Sequence, residues 1–262
     1  MQFADRVALV TGAASGIGRA TAQEFMARGA HVIGVDRDAE GLAAIAKDAG
    51  SSMSMLAVDV SDQVAVRAGI DEAVEKTDRL DFVVNCAANF IARGLDVTTS
   101  DWELALGVNV RGISNVVQAA QPYLETAAEA AVVNTSSISA FIAQPSRWTY
   151  NATKGAIITL TKCMAMDLSA DGIRVNSVSP GWIWTPEVAR AADGDRERWE
   201  PIWGRYHLLR RLGDPHEVAK AIAFLCSTDA SFITGADLPV DGGYQAMGPE
   251  GLGDDSNFAG SA

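Results

Sequence analysis

Short apolar runs alternate along this chain with longer stretches in which apolar residues recur every three or four positions. The runs at 7–10, 31–35, 53–58, 82–85, 131–135, 174–179 and 236–239 read as strands. Strands that alternate with helical segments build a parallel sheet covered on both faces. The pattern therefore predicts an α/β fold, with one doubly wound domain around a central, mostly seven-stranded parallel sheet.

Between 101 and 122 the apolar positions Trp102, Ala105, Leu106, Val108, Ile113, Val116 and Val117 predict one long helix whose apolar face is wider than a single sheet requires. Asp214-Pro215-His216-Glu217 reads as a helix start, with a capping aspartate, proline at the first helical position and a glutamate three residues after the cap. Its role is structural. No repeat or Ser/Pro-rich linker interrupts the series, and 262 residues at 48% hydrophobic suit one domain with a large core. We expect that domain over 1–244. The glycine-rich, acidic stretch 245–262 is expected to be a disordered tail, or to cross a subunit interface through Met247 and Pro249.

A net charge of −12 argues against nucleic acid or an anionic membrane as partner, since both require basic surfaces. Residues 1–6 lead into the first strand without a basic leader or an apolar signal core, and the three cysteines Cys86, Cys163 and Cys226 lack paired spacing. A cytoplasmic protein with free thiols is expected. The histidines His31, His207 and His216 show no ligand spacing, so no metal is expected in the chemistry; His31 is placed beside a strand and His216 in the first turn of a helix.

The candidate chemistry centres on Tyr150 and Lys154, four residues apart and so neighbours on one helix face. A cation beside a phenol favours the phenolate, which suits a tyrosine to proton exchange nearer neutral pH. Nearer the N-terminus, the apolar run 7–10 passes through Gly12, Gly16 and Gly18 into a helix-like stretch at 20–28. Strand, glycine turn and helix let a backbone approach a pyrophosphate, whose charge the helix N-terminus favours. The spacing departs from the G-x-G-x-x-G fingerprint. The second apolar run ends in Asp36, eighteen residues beyond Gly18, where a carboxylate accepts from an adenosine ribose and repels a 2′-phosphate. With no basic residue at Ser15, NAD is expected rather than NADP.

Over about 5–244 the chain resembles the classical short-chain dehydrogenase/reductase family, a Rossmann-type fold. The resemblance rests on the glycine turn after Thr11, Asn109 in Asn-Val-Arg-Gly, Ser136-Ser137, Tyr150-x-x-x-Lys154, Pro180-Gly181 and Asp241-Gly242-Gly243, in the family's order. It implies a catalytic tetrad of Asn109, Ser137, Tyr150 and Lys154. Ser137 is preferred over Ser136 because it lies thirteen residues before the tyrosine. In such enzymes the tyrosine exchanges the hydroxyl proton, the lysine lowers its pKa and bonds the nicotinamide ribose, the serine holds the reacting oxygen, and the asparagine breaks its helix and holds a water. The resemblance also implies cofactor contacts from Gly12, Ser15, Gly16, Ile17 and Gly18, from Asp36, Asp59 and Val60, from Asn85 and Ala87, and from Pro180, Gly181, Ile183 and Thr185, besides Tyr150 and Lys154. Asp59 reads equally as a cap on the turn after its strand. One departure is Asn85-Cys86-Ala87-Ala88 where the family commonly has Asn-Asn-Ala-Gly, which bears on cofactor affinity and not on the tetrad. A homotetramer built as a dimer of dimers is a further implication.

The family's variable lid corresponds to 186–212, which here contains Trp199, Trp203, Arg205, Tyr206, His207, Arg210 and Arg211. Its aromatic residues, with Trp148, Trp182 and Trp184, either stack on a sugar ring or close an apolar pocket. Arginine forks suit carboxylate, sulfonate or phosphate. Arg147, three residues before Tyr150, is singled out, and Arg147, Trp148, Trp182, Arg205 and Arg210 are the candidate substrate contacts. The expected activity is NAD-dependent interconversion of an alcohol, or a sugar lactol hydroxyl, and a carbonyl, on a small sugar, polyol or sugar acid. An NADPH-linked carbonyl or 3-oxoacyl reductase and a catalytically silent NAD-binding regulator remain open alternatives.

Overall fold

In strand β1 (Val7–Thr11) alternate side chains enter different cores, Val7 and Leu9 on one side and Ala8 and Val10 on the other. A strand buried on both faces in this way must lie inside a sheet that has helices above and below it. The computed structural model describes residues 1–252, and places β1 among β2 (His31–Asp36), β3 (Met53–Ala57), β4 (Phe82–Asn85), β5 (Ala131–Thr135), β6 (Arg174–Pro180) and β7 (Asp237–Val240). All pairings are parallel and the order is β3-β2-β1-β4-β5-β6-β7. The fold class is the expected one. The strand positions agree with the apolar runs to within one residue at each end.

One core layer packs α1 (Gly16–Ala27), α2 (Ala39–Ala49) and α9 (Pro215–Cys226) on the sheet through residues such as Phe25, Leu42, Ile45 and Ile222. The other packs α3 (Gln63–Thr77), α5 (Gly112–Leu124) and α6 (Trp148–Leu168) through Ile70, Val116, Leu124 and Ile157. Strand order reverses between β1 and β4, so the crevice at their carboxyl ends is the topological switch point where open α/β sheets bind ligands.

Two elements differ from the sequence reading. The first helix begins at Gly16 rather than near 20, because its cap is Ser15 inside the glycine turn. The long helix over 101–122 is three pieces: α4 (Thr99–Leu106), a π-helical turn over Gly107–Arg111, and α5. Periodicity does not register a single wide turn inside a helix, and such turns gather at functional sites. The segment 186–212 contains α7 (Pro186–Ala191) and α8 (Arg196–Gly204). Within the described part of the tail, Arg210 donates to the carbonyl of Gly251, so that stretch folds against its own chain; residues 253–262 lie outside the described residues.

Candidate active site

A cleft of about 620 Å³ runs across the switch point, with the glycine turn at one end and Tyr150 at the other. Close backbone approach forms the first end. Gly12 has φ +67°, and a Cβ there would lie 2.9 Å from the Ala87 nitrogen. A Cβ on Gly18 would lie 2.2 Å from the Gly12 carbonyl oxygen, so the turn tolerates glycine alone. Ser15 makes no side-chain cap to α1, which leaves the first-turn N–H groups of that helix facing the cleft. Buried Thr11 ties β1 to β4 there: its hydroxyl accepts from the nitrogens of Cys86 and Ala87, both at 3.0 Å. A bare helix N-terminus beside a glycine cradle fits a dinucleotide pyrophosphate.

Asp36 ends β2 at the rim of the same cleft, and its carboxylate accepts from the nitrogens of Ala14 and Asp38, each at 3.0 Å. Asp59 also lines the cleft. Burial alone would raise its pKa, yet the Ser61 hydroxyl and backbone N–H, at 2.7 and 2.9 Å, together with the charge of Arg37, hold it below the usual value. Asp59 therefore caps its turn, as one of its two readings had it. Ser15, Gly16, Ile17, Val60, Ala87, Pro180, Gly181, Ile183 and Thr185 line the cleft as well. Asn85 does not. It is 3% exposed and turns into the sheet, donating to the Asn134 side chain at 2.9 Å, because its register in β4 points it away from the ligand side.

At the other end Ser137 follows β5 and its hydroxyl accepts from the Ser139 nitrogen at 3.1 Å, which aims it across the cleft toward α6. Tyr150 and Lys154 lie one turn apart near the start of α6, and both line the cleft. The Tyr150 ring stacks on Phe90 with centroids 5.7 Å apart. Burial pushes the phenol up to about 12; the Ser137 hydroxyl and the charge of Arg147 pull it down, and Glu187 raises it. Lys154 is pushed down to about 8 by burial, and its Nζ donates to the Thr135 carbonyl at 2.8 Å. The expected lowering of the phenol by this lysine is thus absent in the protein alone, where desolvation outweighs every nearby charge.

Asn109 is fully buried in the π-helical turn, behind the cleft rather than on it. Its Oδ1 accepts from the Asn89 nitrogen at 2.6 Å, and its Nδ2 donates to the Asn89 carbonyl at 2.9 Å and to Thr153 Oγ1 at 3.0 Å. The side chain pins the loop after β4 to α6.

Of the candidate substrate contacts, Arg147 and Trp182 line the cleft. The Arg147 guanidinium lies over the Trp182 ring, 5.8 Å from its centroid, and makes no ion pair among the described residues. Trp148 is half exposed and points off the cleft, because the first turn of α6 carries Arg147 and Tyr150 inward and Trp148 outward. Arg205 lies over Tyr206, Arg210 bonds the Arg205 and Gly251 carbonyls, and Arg211 pairs with Glu217, so these three arginines are taken up by neighbouring segments instead of facing the cleft. Trp199 and Trp203 stack behind Trp182 with centroid spacings of 4.7 and 5.1 Å. The sequence reading missed Phe90, Gln144, Arg37 and the Glu187–Arg190 pair on the cleft wall. Arg37 stands next to Asp36 and could have been read from that position; the others carry no local signal, since each reaches the site from a loop or a helix end.

The description that matches residues 12–245 is that of the enoyl-(acyl carrier protein) reductase group. Meso-2,3-butanediol dehydrogenase of Serratia marcescens is 36% identical over 248 residues, covering 94% of this chain and 97% of that protein. Cis-4-hydroxycyclohexanecarboxylate dehydrogenase of Sinomonas cyclohexanicum is 39% identical over 249 residues, covering 94% and 98%. The ligand-free aldohexose dehydrogenase of Thermoplasma acidophilum superposes with a TM-score of 0.86 at 34% identity, covering 94% of this chain and 96% of that one.

Proposed function

This chain belongs to the short-chain dehydrogenase/reductase family, whose members use nicotinamide cofactors, and acts on CH–OH donors; from that premise we propose that it is an NAD-linked dehydrogenase of a small sugar, polyol or sugar acid. The observation that carries this reading is one continuous cleft with Asp36 at its ribose end and Ser137, Tyr150 and Lys154 at the other. The glycine turn, Asp36, Asp59, Val60, Ala87 and the 180–185 segment would hold the cofactor, which supplies the hydride acceptor.

The protein's own part is proton handling and orientation. Ser137 and Tyr150, both on the cleft wall, would bracket the reacting oxygen, which proton transfer requires at ~2.6–3.2 Å from the phenol. Tyr150 takes the hydroxyl proton during oxidation and returns it during reduction. Lys154, whose Nζ donates to the Thr135 carbonyl in the protein alone, would turn that donor toward the nicotinamide ribose and its charge toward the phenol when the cofactor is bound. Asn109 acts at one remove, fixing the start of α6 through Thr153. Arg147, uncommitted beside Tyr150, supports a substrate with a carboxylate or similar anion, and the hydroxycyclohexanecarboxylate relative supports the same class. Exposed Leu104 and Leu106 on α4 and Met166 on α6 support pairing of copies into a homotetramer. No helix among the described residues is long and apolar enough to cross a membrane.

A second reading, NADPH-linked reduction of a carbonyl or 3-oxoacyl substrate, is favoured by Arg37, which follows Asp36 on the cleft rim and offers a cation to a 2′-phosphate. The deciding experiment assays purified protein with NAD and with NADP against sugars, sugar acids, polyols and hydroxy acids by absorbance of the reduced cofactor. Faster turnover with NADP, or none with any hydroxyl donor, sinks the first reading.

A further inference from the structure

The imidazole of His207 is 2% exposed, and its Nε2 accepts from the Trp182 nitrogen at 3.2 Å. Neighbouring links of the 181–184 loop are backbone to backbone: the Gly181 nitrogen donates to the Val240 carbonyl, the Trp182 carbonyl accepts from the Gly213 nitrogen, and the Trp184 nitrogen donates to the Gly213 carbonyl. The Trp182 amide alone among these bonds goes to a side chain, and that side chain titrates.

The surroundings are shaped for this ring. A Cβ on Gly181 would lie 2.9 Å from Nε2, and one on Gly242 would lie 3.4 Å from the His207 Cβ. Tyr244 meets the imidazole edge-on, centroids 5.2 Å apart. The glycines of Pro180-Gly181 and Asp241-Gly242-Gly243 thus leave room for a histidine arriving from the far end of the lid. Nδ1 is buried without a hydrogen-bond partner among the described residues.

We propose that neutral His207 is a positioning residue that clasps the lid's distal end to the 181–183 loop, and that its protonation releases this loop. The consequence for cofactor rests on the reading that the 180–185 segment holds the nicotinamide end. When Nε2 gains a proton it becomes a donor facing the Trp182 N–H, so the hydrogen bond is replaced by repulsion. The groups facing the ring are Asp241 from the end of β7, Tyr244 beyond it, and Arg211 from the same segment as His207. Burial lowers the histidine below its ordinary 6.5, the Gly204 and Trp203 carbonyls and the Asp241 charge oppose that, and Arg211 adds to it. The clasp is therefore closed at neutral pH and opens as the solution becomes acid.

Two readouts test this on the full chain. Hydrogen exchange of the free protein, followed at the Trp182 amide and corrected for intrinsic rates, should show protection in wild type and in His207→Gln, whose side-chain oxygen replaces Nε2 as acceptor, and loss of protection in His207→Leu. NADH affinity, followed by quenching of tryptophan fluorescence, should weaken in wild type as the solution is made acid, on the acid side of an ordinary histidine's titration because burial lowers that of His207. Across the same range His207→Gln should bind almost evenly, and His207→Leu should bind evenly but about three- to tenfold more weakly, the worth of one hydrogen bond. An unchanged Trp182 amide in His207→Leu, or an acid-side loss of affinity in His207→Gln equal to that of wild type, overturns the proposal. A wild type that fails to bind NADH at any pH overturns the proposed function instead, and the exchange measurement still decides the clasp.

Discussion

The Lys154 ammonium lies 5.6 Å from the centre of the Tyr150 ring and gives its hydrogen bond to the Thr135 carbonyl, not to the phenol. The helix puts the two side chains one turn apart, but burial sets their proton affinities, with Tyr150 pushed up to about 12 and Lys154 down to about 8. Burial disfavours both charges of the pair.

That arrangement has a stability signature. Lys154 titrates at 10.5 in the unfolded chain and at about 8 in the folded protein. Between those values the unfolded chain keeps a proton that the folded one has lost, so stability rises with pH across this window, and the whole penalty is present below it. Lys154→Met should stabilise the cofactor-free protein at pH 7 by on the order of 1–3 kcal/mol, the burial penalty less one hydrogen bond. The advantage should shrink between pH 8 and 10.5. Urea denaturation at several pH values measures it. A Met variant no more stable than wild type at pH 7 would mean that the Thr135 bond outweighs the burial.

Tyr150→Phe keeps the stacking on Phe90 and removes the proton acceptor. Turnover should fall by a factor on the order of 10²–10⁴, the usual worth of a positioned acid or base. Cofactor affinity should stay within a few-fold of wild type. Near-normal turnover at saturating substrate would remove Tyr150 from the chemistry.

At the ribose end, Asp36→Ala should weaken NAD and relieve repulsion of a 2′-phosphate, moving the ratio of kcat/KM toward NADP. Arg37→Ala in that background should reverse part of the shift, because Arg37 is the cation at this rim. A ratio that stays constant through both changes refutes the ribose contact.

Replacing Arg147 by Met keeps a long stem over Trp182 and loses the guanidinium fork. For an anionic substrate kcat/KM should drop roughly ten- to hundredfold, since a hydrogen bond to a charged group is worth about 1.5–3 kcal/mol. For a neutral counterpart it should hardly change. The measurement pairs an aldose with its uronic acid, and equal losses for both point to a neutral sugar or polyol.

Alternating strand-like runs and helical stretches were enough to read the seven strands and the parallel sheet, because central strands such as β1 and β4 are buried on both faces and leave an apolar mark in the chain itself, which places the less apolar β3, β6 and β7 in the same series. Local spacing was enough as well for the glycine turn, for Asp36 at the end of β2, and for Tyr150 and Lys154 on one face of α6, since each depends on neighbours within a few residues. Contacts between distant segments follow no such rule. Trp148 and Arg147 are adjacent in sequence and face opposite ways, Asn85 turns into the sheet by its register, and Arg205, Arg210 and Arg211 are occupied by Tyr206, the tail and Glu217. His207 carries no motif, yet packing brings it 25 positions back to Trp182. The sequence by itself determined which chemistry the chain can carry, because those groups are ordered by backbone periodicity. Tertiary structure decided which side chains face the cleft and where their protons sit, because desolvation and long-range hydrogen bonds exist only once distant segments have packed together.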